Sequence, residues 1–313
     1  MKNSVLLLIL LILIPKNTFS QVKSDSSVIS LKHYNIAAQS IAGVASLAGL
    51  GSLWYSDQFD GKFKSINDSQ TWLQIDKLGH SVTAYQISNQ LYHINLWSGF
   101  NEAQAVGYAY LTSTLFQLSI EVMDGFSEGY GFSFPDIGAN LFGTSLFLGQ
   151  QLLFKDQPIK LTFSFSNSGL QGSFTNELEK DRARKLYGTT FLNNLFKDYN
   201  GQTYWLSVNL WKIAGKPNNF PKWLNLDFGY SVDNVLGSFS NGWRIQQNGK
   251  SVVYTSELPR TRQFLFSFSV DTENLKIFKK LQGITFVFST IKMPAPALEY
   301  NNQKEWTFHP FYF

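Results

Sequence analysis

Three ionisable side chains set in otherwise apolar sequence, His80, Glu121 and Asp136, are the residues of this chain whose types could do chemistry. An imidazole beside two carboxylates can move a proton as general acid or base, or hold a metal ion through one nitrogen and two oxygens. Around them stand Asp76, Lys77, Asp124, Asn140 and Gly143. The order is Asp-Lys-x-x-His, then Glu-x-x-Asp, then a glycine-rich turn, then Phe-Ser-x-x-Asp-x-x-x-Asn-x-x-Gly. Isolated carboxylates are costly in lipid or in a dry core, so Glu121, Asp124 and Asp136 need partners, and Lys77, His80 and Asn140 are the ones on offer. The same groups could instead form a buried structural network that fixes helix register, or face water. No pair of histidines one helical turn apart strengthens the metal reading. No Gly-x-Ser-x-Gly elbow, phosphate loop or dinucleotide fingerprint is present, and no cofactor is implied.

Positioning these groups falls to four apolar segments. Residues 36–54 carry no charge, are long enough to span hydrocarbon, and are rich in the small residues that suit close helix packing; a buried hairpin helix fits them equally. Residues 76–94 read as a helix with Asp76, His80, Thr83 and Gln90 on one face. Residues 102–123 read as another, with Thr114, Gln117, Glu121 and Asp124 spaced by three, four and three and a wide apolar arc around the rest. The glycines of 125–131 break the pattern. Ser133 then makes an N-cap, Pro135 fits the first turn, Asp136 completes a capping-box pattern, and the fourth helix runs to 154.

From Lys155 the period changes from helical to two. Alternation at 160–166, 204–212, 224–232, 264–270, 284–291 and 306–313 predicts strands, six to eight in all. Leu224, Leu226, Phe228 and Tyr230 should share one sheet face, as should Phe264, Phe266 and Phe268. The charge run at 175–197 reads as a solvated helix or connector. The fold class is therefore α+β: a small bundle of three to four apolar helices followed by a mainly antiparallel β-sheet or small barrel. The expected units are a signal peptide at 1–20, a helical domain at 21–157 and a β-rich domain at 158–313.

The N-terminus carries Lys2, an unbroken apolar run at 5–14 and small residues before Gln21, the pattern of a secretory signal; an uncleaved anchor is the alternative. Cleavage would remove two lysines and take the formal charge from +4 to +2. So even a balance excludes the concentrated basic face of a nucleic-acid binder. The chain has no cysteine, so no disulfide, iron–sulfur cluster, thiol nucleophile or cysteine-borne lipid. Aromatic residues make up 16% and charged ones only 15%, a bias that points to membrane contact.

The ordered motif set resembles the YfiM-like family, a domain of unknown function described for periplasmic lipoproteins of Gram-negative bacteria. It is more distantly similar to VanZ-like membrane proteins, which share the Asp-Lys-x-x-His start and the later Asp-x-x-x-Asn-x-x-Gly helix. The resemblance covers residues 76–150 and points to Asp76, Lys77, His80, Glu121, Asp124, Asp136, Asn140 and Gly143. It implies an envelope location and supplies no activity; longer members with a β-rich extension look like those of the Bacteroidota. This chain departs from the lipoprotein pattern in lacking the lipidated cysteine. The expected function is an exported, membrane-associated envelope protein, at the outer rather than the inner membrane, with a structural or interaction role and room for an envelope protein partner. One alternative is a hydrolase or transferase using His80 with Glu121 or Asp136. Another is an outer-membrane β-barrel, which the aromatic end at Phe313 favours and Glu305 and His309 on the same alternating face disfavour.

Overall fold

A computed structural model describes residues 25–54, 61–168, 176–271 and 289–313 of the chain. The expected signal peptide lies outside these residues. The chain divides into two compact units. The first falls within Met1–Asp68, His80–Gln157 and Thr272–Thr290, the second within Ser69–Gly79, Pro158–Asp271 and Ile291–Phe313.

Helices dominate the first unit: α1 (Asp25–Trp54), most of α2 (Ile75–Trp97), α3 (Glu102–Gly125) and α4 (Phe134–Phe154). A short parallel pair, β1 (Ser65–Ile66) and β2 (Phe132–Ser133), ties the chain before α2 to the start of α4. Local chemistry sets the helix starts. At α3, Asn101 Oδ1 accepts from the Gln104 amide at 2.9 Å while the Gln104 side chain accepts from the Asn101 amide, a reciprocal capping box. At α4, Ser133 Oγ accepts from the Asp136 amide at 3.1 Å and Pro135 occupies the first turn. The third constraint is Gly143, where a Cβ would stand 2.0 Å from the Ser81 carbonyl oxygen. Only glycine lets α4 approach the backbone of α2 so closely.

The distribution of polarity in this unit is inverted. Ser88, Asn95, Ser113, Gln117, Glu121 and Thr144 are buried, while α3 turns outward a stripe of Tyr108, Leu111, Leu115, Leu118 and Val122. Those spacings of three and four place them on one face, and Leu111 and Leu115 are each 53% exposed. Leu141, Phe142, Leu152, Leu153 and Phe154 of α4 are likewise exposed. Inside, amides bond amides. Asn35 and Gln39 of α1 both donate to Asn95 Oδ1, and Gln157 joins Tyr85, Gln150 and Gln151. Within α1, Leu31–Leu53 is the one stretch among the described residues long and apolar enough to cross a membrane, and of its residues only Asn35 is buried.

The second unit is built on one antiparallel sheet. Its strands are β3 (Ile159–Phe165), β4 (Gln202–Asn209), β5 (Leu224–Asp233), β8 (Thr261–Val270), β9 (Ala295–Asn301) and β10 (Trp306–Tyr312), in the order β10-β9-β8-β5-β4-β3. Among the described residues β3 and β10 are unpaired with each other, so the sheet is open. The small-barrel alternative is corrected: among the described residues six strands pair edge to edge in an open sheet. Between β3 and β4 the expected solvated helix or connector is a pair of helices, α5 (Glu177–Tyr187) and α6 (Phe191–Lys197). Glu179 of α5 is buried, accepting from Ser256 Oγ at 2.5 Å.

Register explains the sheet's chemistry. Phe163, Tyr204, Tyr230, Phe264, Tyr300 and Trp306 stand side by side across all six strands, and Leu161, Leu206, Phe228, Phe266, Leu298 and Phe308 form the next row. The expected sharing of faces holds for both sets, but the face is the outer one: Phe228, Phe264, Phe266 and Phe268 are exposed. The buried face carries Trp205, Leu265 and Ala297 among Thr162, Ser207, Asn225, Asp227, Ser267 and Glu299. Lys292 reaches into it, with Nζ 3.8 Å from Asp227 Oδ2 and 4.3 Å from the centre of the Trp205 ring.

Other strand expectations need adjusting. The strand expected at 204–212 ends at Asn209, where the helical turn α7 (Leu210–Ile213) begins, capped by Asn209 itself. The strand expected at 284–291 lies outside the described residues up to 288, and Ile291 makes an isolated parallel bridge to Phe163. The strand β9 and the hairpin of β6 (Gly242–Gln247) and β7 (Lys250–Thr255) were not anticipated. Asn248 and Gly249 at its tip both have positive φ, 52° and 72°, the geometry that an Asn-Gly hairpin turn requires.

Candidate functional site

Three helices of the first unit bring His80, Glu121 and Asp136 together. His80 lies one turn into α2, Glu121 one turn before the end of α3, and Asp136 in the first turn of α4. His80 Nδ1 is 3.4 Å from Glu121 Oε1, and His80 Nε2 is 3.7 Å from Asp136 Oδ1. One ligating atom from each of the three residues fits within 4.8 Å of the other two. Both carboxylates are buried and the imidazole is partly so.

Amides orient the trio. Asn140, one turn after Asp136 on α4, presents Oδ1 at 3.2 Å from His80 Nδ1 and its Nδ2 at 3.4 Å from Glu121 Oε1. The same Oδ1 accepts from Gln117 Nε2 at 2.8 Å, and Gln117 also donates to the His80 carbonyl. Because Oδ1 already accepts from Gln117, a hydrogen on His80 Nδ1 completes its bonding and leaves Nε2 as the basic nitrogen. Near the floor of the site, Ser133 Oγ donates to Asp68 Oδ1 at 2.5 Å.

Burial and neighbouring carboxylates dominate the electrostatics of Glu121. Burial, reinforced by the carboxylates of Asp136, Asp124 and Asp68, raises the Glu121 carboxyl from 4.5 to about 9. The Ser133 amide works the other way, favouring the charged form, yet among the described residues Glu121 Oε2 itself has no hydrogen-bond partner.

The remaining motif residues serve in other ways. Asp124 acts on Glu121 through its charge, three residues along α3. Gly143 is the point of closest helix approach, and Ser81 Oγ donates to the Ala139 carbonyl beside it at 3.0 Å. Asp76 and Lys77 belong to the second unit, where Lys77 Nζ lies 2.9 Å from Asp76 Oδ2 and Thr71 Oγ1 donates to the same oxygen. Asp68 was not anticipated, for it sits in a loop with no periodic pattern to mark it.

Residues 60–150 match the model of a family described as predicted periplasmic lipoprotein, DUF2279, a domain of unknown function. All eight motif residues lie in that stretch. The description agrees with the export read from the first twenty residues, and the chain is an exported protein of the cell envelope, periplasmic or membrane-associated. No curated protein and no solved structure matches it.

Proposed function

We propose that the protein is a membrane-associated envelope protein with a structural or interaction role, in which apolar outer faces contact lipid and polar networks inside hold the elements in register. The observation that supports this is the inversion of polarity in each unit. Ordinary surface helices turn their polar face outward. Here α3 turns outward Leu111, Leu115 and Leu118 and keeps Gln117 and Glu121 inside, and the sheet turns outward Phe228, Phe264, Phe266, Phe268, Leu298 and Phe308. Exposed apolar surface of that extent marks a partner or a membrane. Without a cysteine to carry a lipid, attachment in this reading depends on the protein surface itself. The residues 60–150 then correspond to the YfiM-like, VanZ-related unit that the motif order suggests, and the cluster around Glu121 fixes helix register.

Vesicle flotation tests the reading. Purified protein exchanged from detergent should float with phospholipid vesicles and resist extraction at alkaline pH. Leu111→Glu with Leu115→Glu should lower the floating fraction at least several-fold while circular dichroism stays unchanged. Wild-type protein that remains soluble and monomeric without detergent or lipid would overturn it.

A further inference from the structure

Glu121 is 0% exposed, and among the described residues one of its two carboxylate oxygens, Oε2, has no hydrogen-bond partner. A buried carboxyl oxygen left unbonded is costly, so native sites supply a donor, a water or an ion. Three features here favour an ion. First, the neighbours that act on Glu121 through charge, Asp136, Asp124 and Asp68, are all acidic. Second, the second shell is already arranged: Asn140 takes the hydrogen of His80 Nδ1 through Oδ1 and gives one of its own to Glu121 Oε1, which leaves His80 Nε2 and Glu121 Oε2 uncommitted. Holding the non-ligating nitrogen of a histidine in this way is how metal sites fix the ring. Third, Asp136 Oδ1 faces that same Nε2 at 3.7 Å. Two ligand atoms each about 2.1 Å from a tetrahedral ion stand about 3.4 Å apart, so a displacement of a few tenths of an ångström brings this pair to ligand spacing.

We propose that His80 Nε2, Glu121 and Asp136 bind a divalent first-row transition-metal ion, with Asn140 and Gln117 orienting the ligands. One imidazole and two carboxylates suit Zn²⁺, Mn²⁺ or Fe²⁺ rather than a thiolate-seeking ion. The ion binds between α2, α3 and α4, so it cross-links three helices. This goes beyond the membrane reading, and binding is measured in detergent without lipid, so the two can fail separately.

The full chain is purified in detergent, stripped with chelator and titrated with Zn²⁺ by calorimetry. One ion per chain is expected, with a raised Tm on loading. His80→Ala and Asp136→Asn should each weaken binding at least about tenfold at unchanged circular dichroism, the scale of losing a ligand or its support. X-ray absorption of the Zn²⁺-loaded wild type keeps the test decisive if a variant does not fold: one imidazole with oxygen ligands supports the site. Zero or two imidazoles, no saturable binding by the folded wild type, or equal affinity in folded variants overturns it.

Discussion

The contact between α2 and α4 gives the most direct test of how the site is assembled. Adding one methyl group at Gly143, as Gly143→Ala, would place a Cβ 2.0 Å from the Ser81 carbonyl oxygen and 3.0 Å from the Tyr85 amide nitrogen. Both obstacles are backbone, so no side chain can swing away, and the helices must separate by about 1 Å or more to reach a tolerable contact. That separation would stretch the bond from Ser81 Oγ to Ala139 and the contact from His80 Nδ1 to Asn140 Oδ1, now 3.0 and 3.2 Å, past useful length. Overpacking costs about 1–3 kcal/mol, the two lost contacts add about 0.5–1.5 each, and the better helix propensity of alanine returns about 1, for a net loss on the order of 3 kcal/mol. Gly138→Ala and Gly149→Ala are internal controls on the same helix, since nothing lies within 4 Å of a Cβ at either position. Each should be neutral or slightly stabilising. Denaturant unfolding of the three variants in detergent measures the differences. If Gly143→Ala is as stable as Gly149→Ala, the close approach does not position the site and the reasoning fails.

In metal-free buffer, the raised carboxyl of Glu121 means that the folded chain keeps a proton that the unfolded chain gives up between pH 4.5 and about 9. Stability should therefore fall as pH rises through that window, and Glu121→Gln, neutral throughout, should flatten the Tm profile; parallel profiles would count against it. Lys292→Met leaves Asp227 buried without its cation, both side chains being at most 1% exposed, and should cost about 3 kcal/mol in chemical unfolding. Adding Asp227→Asn should recover part of that loss; a double variant as unstable as the two singles combined would refute the pairing. Gly249→Val forces a β-branched residue to φ 72° and should cost about 1–3 kcal/mol by thermal unfolding, whereas Asn248→Gly should be tolerated.

Local pattern determined a good deal by itself. Spacings of three and four put Gln117, Glu121 and Asp124 on one stripe, Ser133 and Pro135 set the start of α4, and alternation put Phe264, Phe266 and Phe268 on one face. All of these depend on periods of the backbone that any reader of the sequence can count. The convergence of His80, Glu121 and Asp136 also followed, because apolar surroundings leave polar stripes little else to pair with. The Asn248-Gly249 pair is a hairpin signal that the reading of the sequence passed over, and Trp243, Ile245, Val252 and Tyr254 make the apolar face of its strands. Tertiary structure alone decided the rest. Periodicity says which residues share a face but not which way the face turns, so Phe228, Phe264, Phe266 and Phe268 stand outward and Asp227, Lys292 and Glu299 lie inside. It is equally silent on close approaches between distant residues. Nothing near Gly143 in sequence reveals the Ser81 carbonyl 2.0 Å from its missing side chain, and nothing near Asp68 reveals its bond to Ser133, because both exist only once separate segments have been folded against each other.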